Sequence, residues 1–247
     1  MTPDDHHAVQ AAKFDRADAR HFTLQTDWSA LATGERALLG GVRARGRLLE
    51  VGCGEGGNLV HTLAAAGGAV RAVHGCDRFL SKARFARDHV EGLAAVVADA
   101  LRLPYASRSF DVVLLRDVLH HLVESAAALN EAWRVVAPGG ALVLVEPNVL
   151  NPLMLALALT DPAERGLLTS TPGRLRAVLE ALPGRGAASF ELMHPLPLER
   201  LAFRRRLAPL LGGPRARAAL AGASRVAGRL VPRRCWSYVV ARVERSA

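Results

Sequence analysis

The sequence predicts one α/β domain built on a doubly wound sheet of mostly parallel strands. Between residues 46 and 148, short apolar segments alternate with segments of helical periodicity, as in parallel sheets covered by helices on both faces. The apolar segments lack the polar alternation of half-exposed strands. The 247 residues are 50% hydrophobic, which is enough for one such domain and not clearly enough for two. We therefore treat residues 1–247 as a single domain.

The predicted elements follow a regular order. Residues 1–45 contain helical stretches and no strand pattern, so we expect a helical N-terminal segment. Residues 46–148 form the core, and Pro138-Gly139-Gly140 is expected to end its last helix. The core strands are GRLLEVG, AVRAVHGCD, LAAVVAD, FDVVLLRD and ALVLVEPN, and the core helices are GNLVHTLAAAG, RFLSKARFARDHV and VLHHLVESAAALNEAWRVV.

The residues after the core predict helical insertions and two further strands. Residues 149–232 combine an inserted helix and loop, a helix beginning at Pro172, a sixth strand, and an Arg-rich helical region broken at Gly212-Gly213-Pro214. Residues 233–247 contain the final strand, CWSYVVARVE.

The formal charge of +9 is concentrated near the C-terminus. Residues 200–247 hold twelve arginines and one acid, Glu244, a net +11, so the other residues sum to −2. Such a basic amphipathic region can bind an anionic membrane surface or an acidic carrier through residues 200–234, or form a solvated face. Nucleic acid is disfavoured because few aromatic residues lie among the arginines.

Nothing in the pattern predicts a secreted or membrane-spanning protein. The first residues, MTPDDHHAVQ, are polar and acidic, unlike a signal peptide. The most apolar window, NPLMLALALT, is too short to cross a bilayer. Cys53, Cys76 and Cys235 lack metal-ligand spacing, so we expect no metal site and a reduced, cytoplasmic protein, with peripheral membrane binding as an option.

Residues 48–57, LLEVGCGEGG, join the first strand to the first core helix through a glycine-rich turn. Gly52, Gly54 and Gly57 satisfy the G-x-G-x-x-G pattern of dinucleotide-binding loops, whose backbone approaches the ligand closely. Asp77 ends the second strand, where a carboxylate can accept both ribose hydroxyl protons. An NAD-dependent oxidoreductase is therefore one hypothesis at this point.

Two acidic residues favour a different nucleoside ligand. Glu50 lies inside the first strand, where an unpaired carboxylate is costly, so it needs a partner such as a cationic ligand group or the N–H groups of the loop. Asp99 ends the third strand and can accept from an adenine amino group, while the N–H of Ala100 donates to a ring nitrogen. A sulfonium ligand with an amino-acid tail would satisfy these groups without a pyrophosphate site.

Four segments in register resemble the motifs of class I S-adenosylmethionine-dependent methyltransferases, most closely the small-molecule and quinone/lipid type. The resemblance covers residues 46–148. It implies a Rossmann-like seven-stranded sheet ending in an antiparallel hairpin of SFELMHPL and CWSYVVARV, and a lid formed by the N-terminal helices. The segments are LLEVGCGEGG, GCDRFLSKAR, ADALRLPYASRSFDVVLLRDVLHHL and ALNEAWRVVAPGGALVLVEPN.

The resemblance also implies roles for individual residues toward S-adenosylmethionine. Asp77 would hold the ribose hydroxyls, and Asp99 with Ala100 would read the adenine edge, which Arg78 and Phe79 flank. The implied cofactor-binding set is Glu50, Gly52, Cys53, Gly54, Asp77, Arg78, Asp99, Ala100, Leu101 and Arg116.

Arg116 departs from the small or polar residue usual at its position. A cation beside a sulfonium is unfavourable, so we expect the guanidinium to point away, toward the substrate cavity or an acid such as Asp117. Cys53 is expected to be a small filler rather than a nucleophile, and His194 to be structural.

His120 and His121 are the predicted catalytic residues if the acceptor must lose a proton. They are expected to open the helix after the fourth strand, and adjacent helical residues point about 100° apart, so at most one should face the cavity. His121 matches the histidine usual in the family. The alternative is that His121 hydrogen-bonds within the fold while His120 lies at the surface.

The predicted substrate-binding residues come from two regions. Phe14, beside Asp15, and Trp28 belong to the N-terminal helices, with ordinary packing as the alternative. Glu146 and Asn148 end the fifth strand, with loop bracing as the alternative.

Taken together, these features predict methyl transfer to a small, apolar or lipid-like molecule, with oxygen preferred over nitrogen or carbon as the target atom. The apolar inserts around residues 151–159 and 199–230 favour an apolar acceptor. One alternative is an RNA or other macromolecule methyltransferase that uses the Arg-rich region. Another is a protein that binds S-adenosylmethionine without methyl transfer.

Overall fold

The computed structural model describes residues 3–204, 207–211 and 213–247. Seven strands form one sheet: β1 (Gly46–Val51), β2 (Val70–Asp77), β3 (Leu93–Val97), β4 (Phe110–Arg116), β5 (Val136–Pro147), β6 (Arg185–Met193) and β7 (Tyr238–Arg245). Their order is β3-β2-β1-β4-β5-β7-β6. β1 to β5 are parallel, and β7 is antiparallel to both of its neighbours. The predicted Rossmann-like sheet is confirmed.

The central strands are apolar throughout because side chains pack on both sheet faces. Leu49 and Val113 belong to a buried cluster that contains Trp133 of the following helix layer. Leu48 and Val112, one position earlier in each strand, belong to a second cluster on the opposite face. Each strand thus contributes alternate residues to two cores, and the polar Glu50 and Arg116 near the carboxyl ends of β1 and β4 are buried as well.

The helices occupy the predicted regions. The N-terminal segment forms α1 (Pro3–Phe14), α2 (Ala19–Asp27) and α3 (Ser29–Gly40). The core adds α4 (Gly57–Ala66), α5 (Leu80–His89) and α6 (Ser125–Val135). The later helices are α7 (Pro152–Thr160), α8 (Pro172–Glu180), α9 (Ala208–Leu211) and α10 (Pro214–Gly228), with 3-10 turns at Leu119–His121, Pro162–Thr169, Leu198–Phe203 and Arg233–Cys235.

The single helix expected over residues 118–136 is divided. Leu119–His121 form a 3-10 turn, and α6 begins only at Ser125. The buried carboxylate of Glu146 explains the break, because its Oε1 accepts from the backbone N–H groups of Val118 and Leu119, each at 2.8 Å. The turn is thereby fixed to the end of β5 instead of continuing into α6.

The insertions after β5 carry the expected start signals. Asn151 caps α7 by accepting from the N–H of Leu153, and Thr171 caps α8 at Pro172. Arg205, Arg206 and Gly212 of the Arg-rich region lie outside the described residues. Within the described ranges, no helix has the length and apolar content needed to cross a membrane.

Candidate functional site

A cavity of ≈930 Å³ lies at the carboxyl ends of β1, β2 and β4, where ligands bind in open α/β sheets. Its volume is typical of small-molecule sites. One wall consists of the loops after these strands, and the other of α1, α7 and the turns near residues 162–169 and 198–203. Of the predicted site residues, those that line it are Phe14, Gly52, Cys53, Gly54, Asp77, Arg78, Asp99, Ala100, Arg116, His120 and His121.

The glycine loop is shaped by backbone conformation and close packing. Gly52 has φ +73°, and a Cβ on it would lie 2.5 Å from Cγ2 of Val118. Asp77 braces the loop, because its Oδ2 accepts from the N–H of Gly54 and its Oδ1 from that of Phe79, both at 2.9 Å. Burial raises the pKa of Asp77. The neighbouring Cys53 is buried, which raises the pKa of its thiol and disfavours a nucleophilic role.

Glu50 lies one layer behind the cavity wall and does not line the cavity itself, and its contact with the cofactor stays a prediction. Its Oε1 accepts from Nδ2 of Asn58 at 2.8 Å, and Asn58 lines the cavity in its place. Its Oε2 is buried and has no hydrogen-bond partner among the described residues. Burial raises the pKa of Glu50 to about 8. The buried carboxyl therefore acts on the cavity through Asn58, which it holds on the wall.

The residues predicted to bind adenine differ in their position relative to the cavity. Asp99 is exposed, and its Oδ1 accepts from the N–H of Leu101 at 2.9 Å. Leu101 is exposed and does not line the cavity, and its contact with the cofactor stays a prediction. Asp99, Ala100 and Arg78 remain on the wall.

Arg116 forms a buried cluster of ion pairs, in line with the expectation that its guanidinium pairs with an acidic residue. Its Nε lies 3.4 Å from Oδ2 of Asp117, and its Nη1 pairs with Glu35 of α3. Glu35 also accepts from Nη1 of Arg200 at 2.9 Å. Burial alone would raise the pKa of Glu35, but Arg116 and Arg200 lower it to about 2. The cluster joins β4, α3 and the turn near residue 200 beneath the cavity.

His120 is buried between two carboxylates, which corrects the expectation that it could lie at the surface. Its Nδ1 donates to Oε2 of Glu146 at 2.8 Å, and its Nε2 lies 3.5 Å from Oε2 of Glu164. Burial would lower the pKa of His120, but Glu146 and Glu164 raise it to about 10. The ring is therefore an imidazolium at neutral pH.

His121 also faces the cavity, so the expectation of at most one facing histidine was wrong. The pair lies on a 3-10 turn, and the two ring centroids are 3.9 Å apart. Phe14 of α1 packs edge-on against His121 at 5.0 Å. Burial and the charge on His120 hold the pKa of His121 well below its usual range. His121 is thus the neutral member of the pair.

Three predicted substrate-binding residues do not line the cavity. Both carboxylate oxygens of Glu146 accept hydrogen bonds within the fold, from the N–H groups of Val118 and Leu119 and from the ring of His120. Asn148 is buried because it donates to two backbone carbonyls of the segment before β7 and accepts from the N–H of Leu150. Trp28 packs in a small apolar cluster instead. Loop bracing and ordinary packing are therefore the observed arrangements.

Several residues of the site were missed from the sequence. Lys13 and Lys82 lie over the ring of Phe14, with their Nζ atoms 4.8 and 5.2 Å from its centroid. Lys13 also pairs with Glu164. Lys82 pairs with Glu55, and burial alone would raise the pKa of Glu55, but His21 and Lys82 lower it to about 2. The signal in the sequence was their rarity, because these are its only two lysines.

His120, His121 and Glu164 are also the described residues whose ligand atoms come within 4.8 Å of one another, as a metal site would require. In this structure, Glu164 is already balanced by Lys13 and by the imidazolium of His120. We interpret the group as an ion-pair network.

The chain has recognisable relatives. Residues 49–144 match a family model described as a methyltransferase domain. The chain is 33% identical over 106 residues to 27-O-demethylrifamycin SV methyltransferase of Amycolatopsis mediterranei, covering 42% of this chain and 39% of that protein. It is 36% identical over 115 residues to the ubiquinone/menaquinone biosynthesis C-methyltransferase of Cereibacter sphaeroides, covering 44% and 45%. The matches thus span less than half the length of these relatives.

The fold extends the likeness beyond the core. The crystal structure of the [4+2]-cyclase SpnF superposes with a TM-score of 0.61 over 89% of this chain and 83% of that one, at 23% identity. This likeness concerns the fold alone, whereas the family model covers the four motifs found in register. Residues 49–144 are therefore similar in sequence to a methyltransferase domain, and the fold around them is that of the class I S-adenosylmethionine-dependent methyltransferases.

Proposed function

We propose that the protein transfers a methyl group from S-adenosylmethionine to a small, apolar molecule. The observation that carries the proposal is the composition of the cavity. The motif-bearing glycine loop forms one wall, and the opposite wall presents the apolar side chains of Met154, Leu157, Leu167 and Phe203.

The residues on the first wall fit the cofactor. The left-handed Gly52 packs against Val118 with no room for a Cβ, so the loop exposes backbone to the cavity. Behind Asn58, the buried Oε2 of Glu50 lacks a hydrogen-bond donor. Asp77 and Asp99 provide carboxylates for the ribose hydroxyls and the adenine amino group. When bound, S-adenosylmethionine supplies an electrophilic methyl group on a positively charged sulfur.

The chain contributes mainly alignment and exclusion of water, for which effective molarity can supply roughly 7–11 kcal/mol. α1 crosses the cavity and is attached to the opposite insertion. Nε2 of Gln10 donates to the carbonyl of Ala163 at 2.8 Å, and Nζ of Lys13 lies 3.0 Å from Oδ2 of Asp161. These contacts hold Phe14 over the interior as a lid.

We assign proton abstraction to His121 and a positioning role to His120. A general base must be unprotonated, and His121 is the neutral ring of the pair. His120 is fixed by Glu146 and Glu164 and sets the orientation of the turn. A base that faces the acceptor wall supports oxygen as the target atom, because a hydroxyl must lose its proton.

The relatives support a small-molecule acceptor and leave a second function open. The first relative is named as a methyltransferase of 27-O-demethylrifamycin SV. The second is named as a C-methyltransferase of ubiquinone and menaquinone biosynthesis. The second candidate is a protein that binds S-adenosylmethionine without methyl transfer, because the residues proposed to hold the cofactor would serve both activities. The macromolecule alternative has no comparable support.

The test is turnover with methyl-labelled S-adenosylmethionine and a panel of phenols, quinols and polar acceptors. We expect labelled product with apolar acceptors and S-adenosylhomocysteine in equal amount. Tight cofactor binding with no transfer to any acceptor would favour the second candidate. Turnover of polar acceptors alone would contradict the apolar assignment.

A further part of the proposal concerns location and partners. Arg215, Arg225, Arg229, Arg233 and Arg234 are exposed. They support contact with an anionic membrane surface or an acidic carrier. The free cysteines Cys53, Cys76 and Cys235 support a reduced, cytoplasmic location.

A further inference from the structure

Residues 150–168, which we call the leucine insertion, have two apolar sides. On the inner side, Met154, Leu157 and Leu167 line the cavity. On the outer side, large apolar side chains are exposed to solvent, with Leu159 of α7 at 67%. Leu155 lies one turn before Leu159 on the same helix face. The exposed apolar residues of the insertion are Leu150, Leu155, Leu159 and Leu168.

The charges of the leucine insertion are sorted between its sides. Its two acids are used inward, because Asp161 pairs with Lys13 and Arg204, and Glu164 pairs with Lys13 and His120. Its remaining charged residue, Arg165, is exposed. The outer side therefore presents leucines and a cation, and both acids are neutralised from within.

Two arginines of the Arg-rich region lie beside the start of the leucine insertion. Nδ2 of Asn151, at the start of α7, donates to the carbonyl of Cys235 at 2.8 Å, and Nδ2 of Asn148 to that of Arg234 at 3.0 Å. These bonds fix the segment of Arg233 and Arg234 beside the leucine insertion. Just before it, Leu230 is 83% exposed. The same region of α10 exposes Arg225, Val226 and Arg229.

We propose that this surface docks on an anionic lipid bilayer, with the leucines entering the interface and the arginines contacting the lipid phosphates. An acidic carrier would match the arginines and leave the leucines exposed. A second copy of the same face would bring arginines against arginines. Lipid satisfies both kinds of residue.

Docking would place the cavity one helix away from the lipid phase. Leu155 faces outward while the preceding Met154 faces the cavity, so α7 alone separates the two. An apolar acceptor can then pass from the bilayer beside α7 without crossing water. This route depends on the proposed function, because it assumes an apolar acceptor. Docking on lipid does not depend on it.

The leucines are tested by sedimentation of the full-length protein with vesicles of phosphatidylglycerol and phosphatidylcholine. We expect Leu155→Glu with Leu159→Glu to lower the partition coefficient by about tenfold or more, because each leucine loses its apolar transfer. Val97→Glu is the matched control, since Val97 is an exposed apolar residue of β3, the strand at the other end of the sheet from β6. Equal loss in the control and the double variant would overturn the role of the leucines.

The arginines are tested in the same assay at low salt. Arg233→Gln with Arg234→Gln should weaken binding by about tenfold or more. Arg71→Gln with Arg84→Gln removes two exposed arginines from β2 and α5 and should have little effect. Binding should be weaker on pure phosphatidylcholine and should fall with added salt.

Three results would overturn the proposal. The first is wild-type protein that stays in the supernatant with anionic vesicles at low salt. The second is binding to polyglutamate in place of vesicles, which would assign the arginines to an acidic protein. The third is a dimer that Leu155→Glu with Leu159→Glu dissociates. Titration with S-adenosylmethionine by calorimetry tests the proposed function separately, because every one of these variants should retain the wild-type cofactor affinity.

Discussion

The two walls of the cavity are built by different kinds of interaction. We call the loops after β1, β2 and β4 the cofactor wall, and α1, α7 and the turns near residues 162–169 and 198–203 the acceptor wall. The cofactor wall is held by hydrogen bonds and packing around the loops after β1 and β2, such as the bonds from Gly54 and Phe79 to Asp77. The acceptor wall is held by ion pairs between distant segments, as between Lys13 and Glu164. The first wall is set mostly by backbone geometry, whereas the second exists only once α1 and the insertion have assembled. The two should therefore fail separately when mutated.

The largest expected effect separates a clash in the cofactor wall from simple backbone strain. Gly52→Ala should abolish measurable binding of S-adenosylmethionine, because the new Cβ meets Val118 at a φ of +73°. Gly67→Ala is the matched control, since Gly67 has φ +54° but no atom within 4 Å of its Cβ position. Calorimetry with both variants is the measurement. Equal affinity losses in the two would mean that strain alone, rather than the loop's close packing, is responsible.

In the turn after β4, which faces the acceptor wall, His121→Ala should lower kcat by about 10²–10⁴-fold while cofactor affinity stays unchanged, because it removes the base. The pH profile sharpens the assignment. Since the pKa of His121 is lowered well below its usual range, activity should persist as the pH falls through about 6.5, where an ordinary histidine protonates. His89→Ala, at an exposed histidine of α5, is the control. Full activity of His121→Ala with a hydroxyl acceptor would remove it from the mechanism.

A smaller effect concerns the stability of the acceptor wall. The pKa of His120 is about 10 in the fold against an ordinary value of 6.5, so its stabilising charge is fully present below about 6.5 and is lost as the pH rises through about 10. The melting temperature of the wild type should fall over this range relative to that of His120→Gln. Thermal unfolding at a series of pH values measures the difference. Parallel curves would show that His120 does not carry the charge.

The smallest expected effect lies at the lid. Lys13→Met removes two partly exposed ion pairs that share one ammonium group, and we expect them to contribute about 1 kcal/mol together. We expect KM for the acceptor to rise roughly fivefold or less while cofactor affinity is kept. Arg87→Met, in an exposed pair on α5, should leave both constants unchanged. A loss of cofactor affinity in Lys13→Met would show that the two walls are coupled through α1.

The sequence predicted the cofactor wall well because its signals are short-range. The glycine spacing and Asp77 lie within one βαβ unit, and the structure places them around one cavity. Glu50 was expected at the wall. The alternation of side chains along a strand gives the face on which Glu50 lies, but not that Asn58 of α4 lies between it and the cavity. The orientation of the histidines was missed because Glu146, 26 residues beyond His120 in the sequence, binds the start of the 3-10 turn.

The acceptor wall was harder to predict because its contacts join residues that no local pattern relates. Trp28 and Asn148 looked equally able to face a ligand, and only the packed structure shows that one fills a cluster and the other braces a loop. Glu35 and Glu164 carried no motif, although both become central to ion networks. Such residues are assigned by tertiary proximity, which a single sequence does not contain.

The scarcity of lysine has a practical side. Lys13 and Lys82 are the only lysines in the chain. Lys13 lies on the lid helix α1 and Lys82 on α5, and both contact the ring of Phe14. Every side-chain primary amine of the protein is therefore at the mouth of the same cavity. The rate at which an amine-selective acylating reagent modifies these two lysines would therefore report on opening of the lid, because both reactive groups lie at the cavity and none lies elsewhere on the surface.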